Sequence, residues 1–436
     1  MKEYQFPLNS FSKGLRPEIT TARTSDFLVE SLNAAPGKGG LRRQVPINSA
    51  FPSISIDFPF PQLFFFKEFT LIGTRAGVYE LQDDGTWLQV ITKDVSEAWE
   101  MLDFGSYILI VNIGVVWGRN IDTGEYEVDP AFPFCTSIEN FNGQLITIGN
   151  IEDFSLKPSR VTWSKIGSKD FTVDRSNIAG WAEIEGSGLV RNVLSLDGGF
   201  VVYSENAVTW FMAVNAPTPT FGKRRLLNFG IPSKGAVCKG DGKHLALMTN
   251  GDLYEITSEG KKYIGFGEFF DSFEEVRITY NPIDDEFYIS NGLRTYIYSS
   301  NGLGQVSSII TSGGIFEGDF YAMARSAGSE AFLVTTDTFD LGTRGQKTIY
   351  AIELQADAEA PIEVAVYWRS NVNEGFRLSK WTRCGPSGIA TLIVAGIEFR
   401  LAVRVEGPGE VNISSANIRW KLTDKRSIRG QYGATK

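Results

Sequence analysis

The chain has 436 residues, of which 13% are aromatic, with 45 glycines, 5 methionines and a formal net charge of −9. That length exceeds one ordinary core, so two domains or a repeat array are expected, able to stand without disulfide or metal. The charge is uneven, +3 on residues 1–50, +4 on 421–436 and −16 on 51–420, which argues against a main body that grips nucleic acid.

In chain order, the opening MKEYQFPLNSF lacks the apolar run of a signal peptide. The longest apolar stretch, ILIVNIGVVW at 108–117, is interrupted by Asn112 and Gly114 and is too short to span a bilayer. Cytosolic synthesis without a membrane anchor is the expectation. Residues 1–54 show little periodicity and are expected to form an extended N-terminal arm. Within it, Ser25 to Leu32 suggests a capped helical turn, followed by the Pro-Gly-rich APGKGGLRR (35–43). That stretch superficially resembles a phosphate loop, but it lacks the closing Lys-Ser/Thr and the strand-helix frame, so a flexible arm is expected.

From 55 to 313 the chain repeats itself. FTLIGTRAGVYEL (69–81), SYILIVNIGVVWG (106–118), GFVVYSENAVTWFM (199–212), HLALMTNGDLYEI (244–256) and EFYISNGLRTYIYS (286–299) each join two apolar strands through a Gly- or Asn-containing turn. QLITIGNIEDFSLKPSRVTWS (144–164) fits the same frame with a longer loop. The aromatic markers Tyr79, Trp117, Trp163, Trp210, Tyr254 and Tyr296 are spaced by 38, 46, 47, 44 and 42 residues. A period in the forties with one hairpin core per unit is the signature of four-stranded propeller blades. Six units fill the segment. A lone blade cannot bury both faces, whereas a ring of blades packs each face on a neighbour.

Several patterns inside the repeats invite chemistry. After Trp163 come Ser164, Lys165, Ser168, Lys169 and Asp170, but a nucleophile needs an aligned base and an orienting group. The chain's one histidine, His244, begins a different repeat, so Trp163 is read as inter-blade packing and the cluster behind it as a polar loop. His244 has no Cys, His or Asp at ligand spacing and is expected to be structural. Asp83, Asp84, Gly85 and Trp87 are similar to the aspartate box of propeller sialidases, yet an Asp-Gly hairpin gives the same letters. The runs Phe64, Phe65, Phe66 and AFPFC (131–135) are read as core or blade-edge residues, with an exposed patch awaiting a subunit partner as the alternative. Cys135, Cys238 and Cys384, odd in number and far apart, are read as reduced thiols. No nucleophile triad, metal cluster or paired carboxylates stands out, so a non-enzymatic role without cofactor or metal is expected.

Residues 314–436 change rhythm. AFLVTTDTFDL (331–341), TIYAIELQA (348–356), IEVAVYWRS (362–370), TLIVAGIEFRLAVRVEG (391–407) and VNISSANIRWKLT (411–423) suggest a C-terminal β-sandwich, ending in the basic tail DKRSIRGQYGATK. The fold expected for the whole is therefore all-β: an arm, a six-bladed propeller-like domain and a sandwich.

Three segments carry a resemblance. The first holds Gly14, Leu15 and Asn33, then Gly39, Gly40, Leu41 and Arg42. The second is RVTWSKIGSKDF, with Trp163, Ser164 and Gly167, and the third IRWKLTDKRSIRGQYG, with Trp420, Asp424, Arg426 and Gly430. Together they resemble the tail nozzle proteins of short-tailed bacteriophages, a tail-hub or tubular class that includes packaged-DNA-stabilisation proteins. The resemblance implies a structural virion protein, assembled in the host bacterial cytoplasm as a homo-oligomer, with a hexamer suspected. It would sit below the portal and adaptor rings, extend the DNA-ejection channel and anchor fibre, spike or needle proteins, with viral double-stranded DNA passing transiently. The basic Arg42, Arg43, Lys425, Arg426 and Arg429 are candidates for contacts with neighbouring subunits or adaptor. Two other readings are a carbohydrate-active propeller, either glycosidase or host-glycan binder, and a peptide-binding propeller scaffold.

Overall fold

A computed structural model describes residues 3–16, 26–44, 62–129, 132–152, 155–174, 178–214, 220–270, 275–324, 331–343 and 345–423. The chain divides into two compact units. One comprises Met1–Pro46, Arg294–Ile309 and Ser326–Lys436, the other Ile47–Leu293 and Ile310–Arg325. Neither follows the boundaries read from sequence at 54/55 and 313/314. Both are discontinuous, because strands from the two chain ends and from one intervening hairpin join the same core.

The central unit is built of five successive four-stranded antiparallel sheets, spanning 62–92, 100–128, 137–183, 190–227 and 237–265. Sheet 3 consists of Ser137–Phe141, Gln144–Ile148, Arg160–Trp163 and Gly180–Glu183, each pairing with the next. Its first turn shows why the hairpins are tight. Asn142 and Gly143 take φ of 51° and 81°, the paired left-handed geometry that an Asn-Gly turn supplies at little steric cost. Two further hairpins, Arg277–Asn281 with Glu286–Ser290 and Ile310–Phe316 with Asp319–Ala324, complete the unit.

The first strands of sheets 2 to 5 lie side by side, continuing through Arg277–Asn281 and Ile310–Phe316 back to the first strand of sheet 1, Gln62–Phe65. At that closure Ser312 Oγ accepts the Leu63 N–H at 2.9 Å, and Phe65 stacks on Phe316 with ring centroids 5.4 Å apart. Sheet faces are sealed by apolar clusters. Leu71, Val78, Trp99, Ile108 and Ile110 join sheets 1 and 2. Leu109, Val116, Cys135, Ile138 and Leu145 join sheets 2 and 3, and Ile146, Val161, Trp163, Val193 and Phe200 join sheets 3 and 4.

Tyr79, Trp117, Trp163, Trp210 and Tyr254 all fall on the third strand of their sheets, opposite Ile72, Ile110, Ile146, Val201 and Ala246 of the second. The period read from sequence is thus a structural period. The sixth marker, Tyr296, lies on Thr295–Ser299, whose hairpin with Gly302–Val306 groups with the other unit. Trp163 is 5% exposed and meets Phe221 edge-on at 5.2 Å, with its Nε1–H donated to Ile178 O. The phenylalanine runs are mixed. Phe132 is buried, Phe134 is exposed, and Phe64 to Phe66 are half-buried.

The other unit contains two six-stranded antiparallel sheets. One orders Ala34–Gly37, Gly40–Arg43, Val411–Leu422, Lys347–Ala358 and Ile389–Gly396, with Tyr4–Leu8 also on Val411–Leu422. The second orders Leu28–Leu32, Phe332–Thr336, Glu398–Val405 and Ile362–Arg369, with two short strands at its edge. Phe6 of the first stacks on Phe339 at 5.9 Å, and Phe339 contacts Phe399 of the second, so the sheets meet face to face through rings. This is the sandwich expected from sequence, but the N-terminal arm supplies strands to both sheets.

The helical turn expected over Ser25 to Leu32 is corrected: Leu28–Leu32 is a strand, because Leu28 and Ser31 are buried against Phe332–Thr336. APGKGGLRR is likewise a hairpin rather than a flexible arm. The long strand expected over 391–407 is two, since the chain crosses between sheets at Ile397. Among the described residues no helix is long and apolar enough to cross a membrane.

Candidate functional site

Of the five basic interface candidates, Lys425, Arg426 and Arg429 lie outside the described residues, as do Asp424 and Gly430. Arg43 is 7% exposed, and its guanidinium donates to Gly407 O at 2.7 Å, Gly409 O at 2.8 Å and Val405 O at 3.1 Å. It closes a bend of its own sandwich, so it is corrected from surface contact to internal clamp. The sequence misled here because an arginine beside Gly-Gly reads as solvated until the hairpin is folded down. Arg42 is half-buried, reaches Gln44 Oε1 at 2.8 Å and borders a hollow with Asp357, Glu359 and Glu410.

The polar cluster after Trp163 is held within its own sheet and loop. Ser164 is fully buried; its Oγ accepts the Leu145 N–H at 3.0 Å and donates to Lys165 O at 2.9 Å. Lys165 pairs with Asp170, whose carboxyl is thereby held down at about 2, and Lys169 pairs with Asp129 at 2.6 Å. The Asp84 carboxylate takes the Thr86 N–H and Oγ–H at 2.9 and 2.7 Å, an exposed hairpin turn.

Charged side chains gather elsewhere, where the first strands of the central unit converge. A cavity of about 300 Å³ opens there, bordered by Glu100, Glu139, Asn192, Lys234, Lys239 and Arg277 among others. Lys234 stands on a short turn before sheet 5 and is 4% exposed. Its ammonium meets Glu100 Oε1 at 3.1 Å and donates to Thr136 O at 2.7 Å. Glu100, at the start of sheet 2, also accepts the Ser137 hydroxyl and the Ile138 N–H, each at 3.0 Å, from sheet 3. Ser137 Oγ in turn takes the Val193 N–H of sheet 4 at 3.3 Å, and Asn192 Nδ2 donates to Lys234 O at 2.9 Å. Four consecutive repeats are thus tied by one hydrogen-bonded belt. Its ion pair is paid for in desolvation, and a buried pair of this kind fixes one arrangement more than it adds stability.

Burial is the main influence on the remaining groups. It raises the Glu139 carboxyl above the usual carboxylate range, against the opposing pull of Lys239. It lowers the Arg277 guanidinium below its ordinary value, although Cys238 and Glu100 act the other way. Cys135 is pushed up to about 12 and Cys238 to about 11, both chiefly by burial, which makes them poor nucleophiles. All three cysteines are free.

The repeated sheet is a propeller blade. Among solved structures, the chain is similar to BamB from Moraxella catarrhalis, with 12% identity over 68% of this chain and 94% of that one at a TM-score of 0.41. It is also similar to the Neurospora crassa Pan2 WD40 domain, with 6% identity over 63% and 85% at 0.38. A third likeness is to the extracellular domain of BT4673 from B. thetaiotaomicron, with 13% identity over 77% and 56% at 0.44. These likenesses are distant. No protein-family model and no curated protein matches the chain.

Sequence reading missed the belt of this propeller. Its ion pair joins Glu100, which begins the first strand of sheet 2, to Lys234 on the turn before sheet 5, and the nearby Glu139, Lys239 and Arg277 also lie on first strands, whereas the aromatic markers sit on third strands. Aligning the repeats on their first strands would have shown a charged side chain on four of them. Among the described residues no cluster of three or more His, Cys, Asp and Glu is placed to hold a metal.

Proposed function

We propose that this chain is a structural subunit of a short-tailed bacteriophage tail nozzle, forming a homo-oligomeric ring that extends the DNA-ejection channel and anchors neighbouring tail proteins. One observation carries the reading: several described residues that bear the resemblance, Gly14, Asn33 and Gly40 among them, occupy positions where backbone geometry restricts the residue type.

Gly14 has φ +65°, and a Cβ there would lie 2.3 Å from Leu303 O. Asn33 has φ 53° and is 1% exposed; its side chain donates to Ala331 O at 2.7 Å and accepts the Ser307 N–H at 2.8 Å. Gly40 has φ +148°, and a Cβ would lie 2.1 Å from Ile413 O. Leu41 is fully buried, Gly167 takes φ +67°, and Trp420 stacks on Tyr4 at 4.8 Å. Residues held by backbone geometry in this way are firmer grounds for the resemblance than short letter matches in loops. The −16 on residues 51–420 suits a conduit, since each phosphate a wall neutralises adds affinity that slows passage.

Mass photometry of the purified chain at low micromolar concentration tests the assembly. A species six times the 48.2 kDa chain mass supports the ring. A monomer at every concentration and salt, together with sugar release or saturable binding on host polysaccharide, would replace it with the carbohydrate-active reading.

A further inference from the structure

The central propeller cavity contains two buried polar groups that the protein leaves unsatisfied. Arg277 forms no ion pair among the described residues, and its Nε is buried without a hydrogen-bond partner. Asn192, 6% exposed, uses Nδ2 on Lys234 O and leaves Oδ1 buried and unpartnered. An orphaned buried donor or acceptor costs about 1–3 kcal/mol, so two bordering one cavity call for an occupant.

The local charge points to its sign. Lys234 is matched by Glu100, and Lys239 reaches Ser195 Oγ at 2.5 Å beside Glu139. Neither Lys239 nor Arg277 forms an ion pair among the described residues, which leaves the cavity with cations in excess within a body that is otherwise acidic. A low-dielectric pocket of this sign concentrates small anions. The Lys234–Ala236 turn is pressed onto Arg277: a Cβ on Gly235 would lie 2.4 Å from Val276 O and 3.3 Å from Arg277 Cδ, so the guanidinium stem is held in place. A second hollow of about 230 Å³, bordered by Asn140, Asp197, Gly240 and Lys243, shares Lys239 with the cavity.

We propose that this cavity binds a small carboxylate that also carries a hydroxyl or amino group, with its carboxylate on the Arg277 guanidinium and its donor on Asn192 Oδ1. The planar fork of arginine matches two carboxylate oxygens, and Oδ1 can only accept, so the ligand must bring both an acceptor pair and a donor. A cavity of about 300 Å³ is at the small end of ligand sites and suits a hydroxy acid or amino acid rather than a nucleotide. Burial raises the Glu139 carboxyl above the usual carboxylate range, which lessens one source of repulsion. The inference stands on the cavity and does not require the nozzle reading.

Isothermal titration calorimetry of the full chain with L-malate, L-lactate and L-glutamate tests it, with inorganic phosphate and methyl lactate as contrasts. Saturable 1:1 binding of at least one carboxylate is expected, with no heat from methyl lactate. Affinity should fall at least tenfold in Arg277→Gln and in Asn192→Leu, while Lys262→Gln, on the exposed outer strand of blade 5, leaves it unchanged. Melting curves confirm that each variant folds, and ligand-induced shifts of the melting temperature in wild type give a second readout. Absence of binding by all three carboxylates at millimolar concentration, equal binding by folded Arg277→Gln, or tighter binding of phosphate than of any carboxylate would overturn the proposal.

Discussion

His244 is the chain's only histidine and is fully buried between blades 4 and 5. Its Nε2–H donates to Ser195 O at 2.8 Å, which leaves Nδ1 to accept the Tyr203 hydroxyl at 2.9 Å. Burial holds the ring neutral and lowers its pKa from 6.5 to about 4. The unfolded chain therefore binds a proton that the folded one refuses between those values. The contribution of neutral His244 is complete above pH 6.5 and is lost as pH falls toward 4, by at most about 3 kcal/mol. Urea unfolding of wild type and His244→Gln across that range should show the gap between them narrowing as pH drops; a constant gap would contradict the assignment. At Gly40 the argument is steric. Gly40→Ala places a methyl against Ile413 O at a φ that L-residues rarely adopt, and should destabilise the sandwich by more than about 1 kcal/mol in thermal unfolding. Arg43→Ala strands the carbonyls of Val405, Gly407 and Gly409, so its effect, about 2 kcal/mol or more, should appear in monomer stability and change little with salt.

Among the elements, the blades were legible in the sequence and the sandwich only in part. A blade is local: four consecutive strands, tight turns and one large ring on the third strand, repeated at a period that a single chain displays. Trp163→Ala should therefore cost about 3–5 kcal/mol, since it empties the seam between blades 3 and 4 while exposing little new polar surface. The sandwich is not local. Tyr4–Leu8 pairs with Val411–Leu422 across some 400 residues, and Leu28–Leu32 is a strand only because Phe332–Thr336 lies beside it. Nothing within residues 26–44 announces those partners, and a Ser followed by apolar residues looks helical in isolation. Deleting residues 1–44 should leave both sheets short of strands and yield a protein whose C-terminal region is cut rapidly in limited proteolysis. A dispensable arm would leave that pattern unchanged. The central belt escaped notice for the same reason, since Glu100 and Lys234 are distant in sequence and 3.1 Å apart in the fold.

At the scale of the whole molecule, composition anticipated the class. Abundant glycine, aromatics and few methionines gave an all-β chain, and the acidic middle flanked by basic ends remained as a charge pattern in want of a use. In the proposed ring the acidic body would repel moving DNA, and the basic C-terminal end, rather than the N-terminal arm folded into the sandwich, would be the candidate to engage acidic neighbours through contacts that weaken as salt rises. Electron microscopy of the purified protein, and of particles bearing it, probes this role without intermediaries. Class averages should show closed rings of repeated subunits with an axial opening wide enough for duplex DNA; isolated discs the size of one chain, on grids and absent from particle tails, would contradict it.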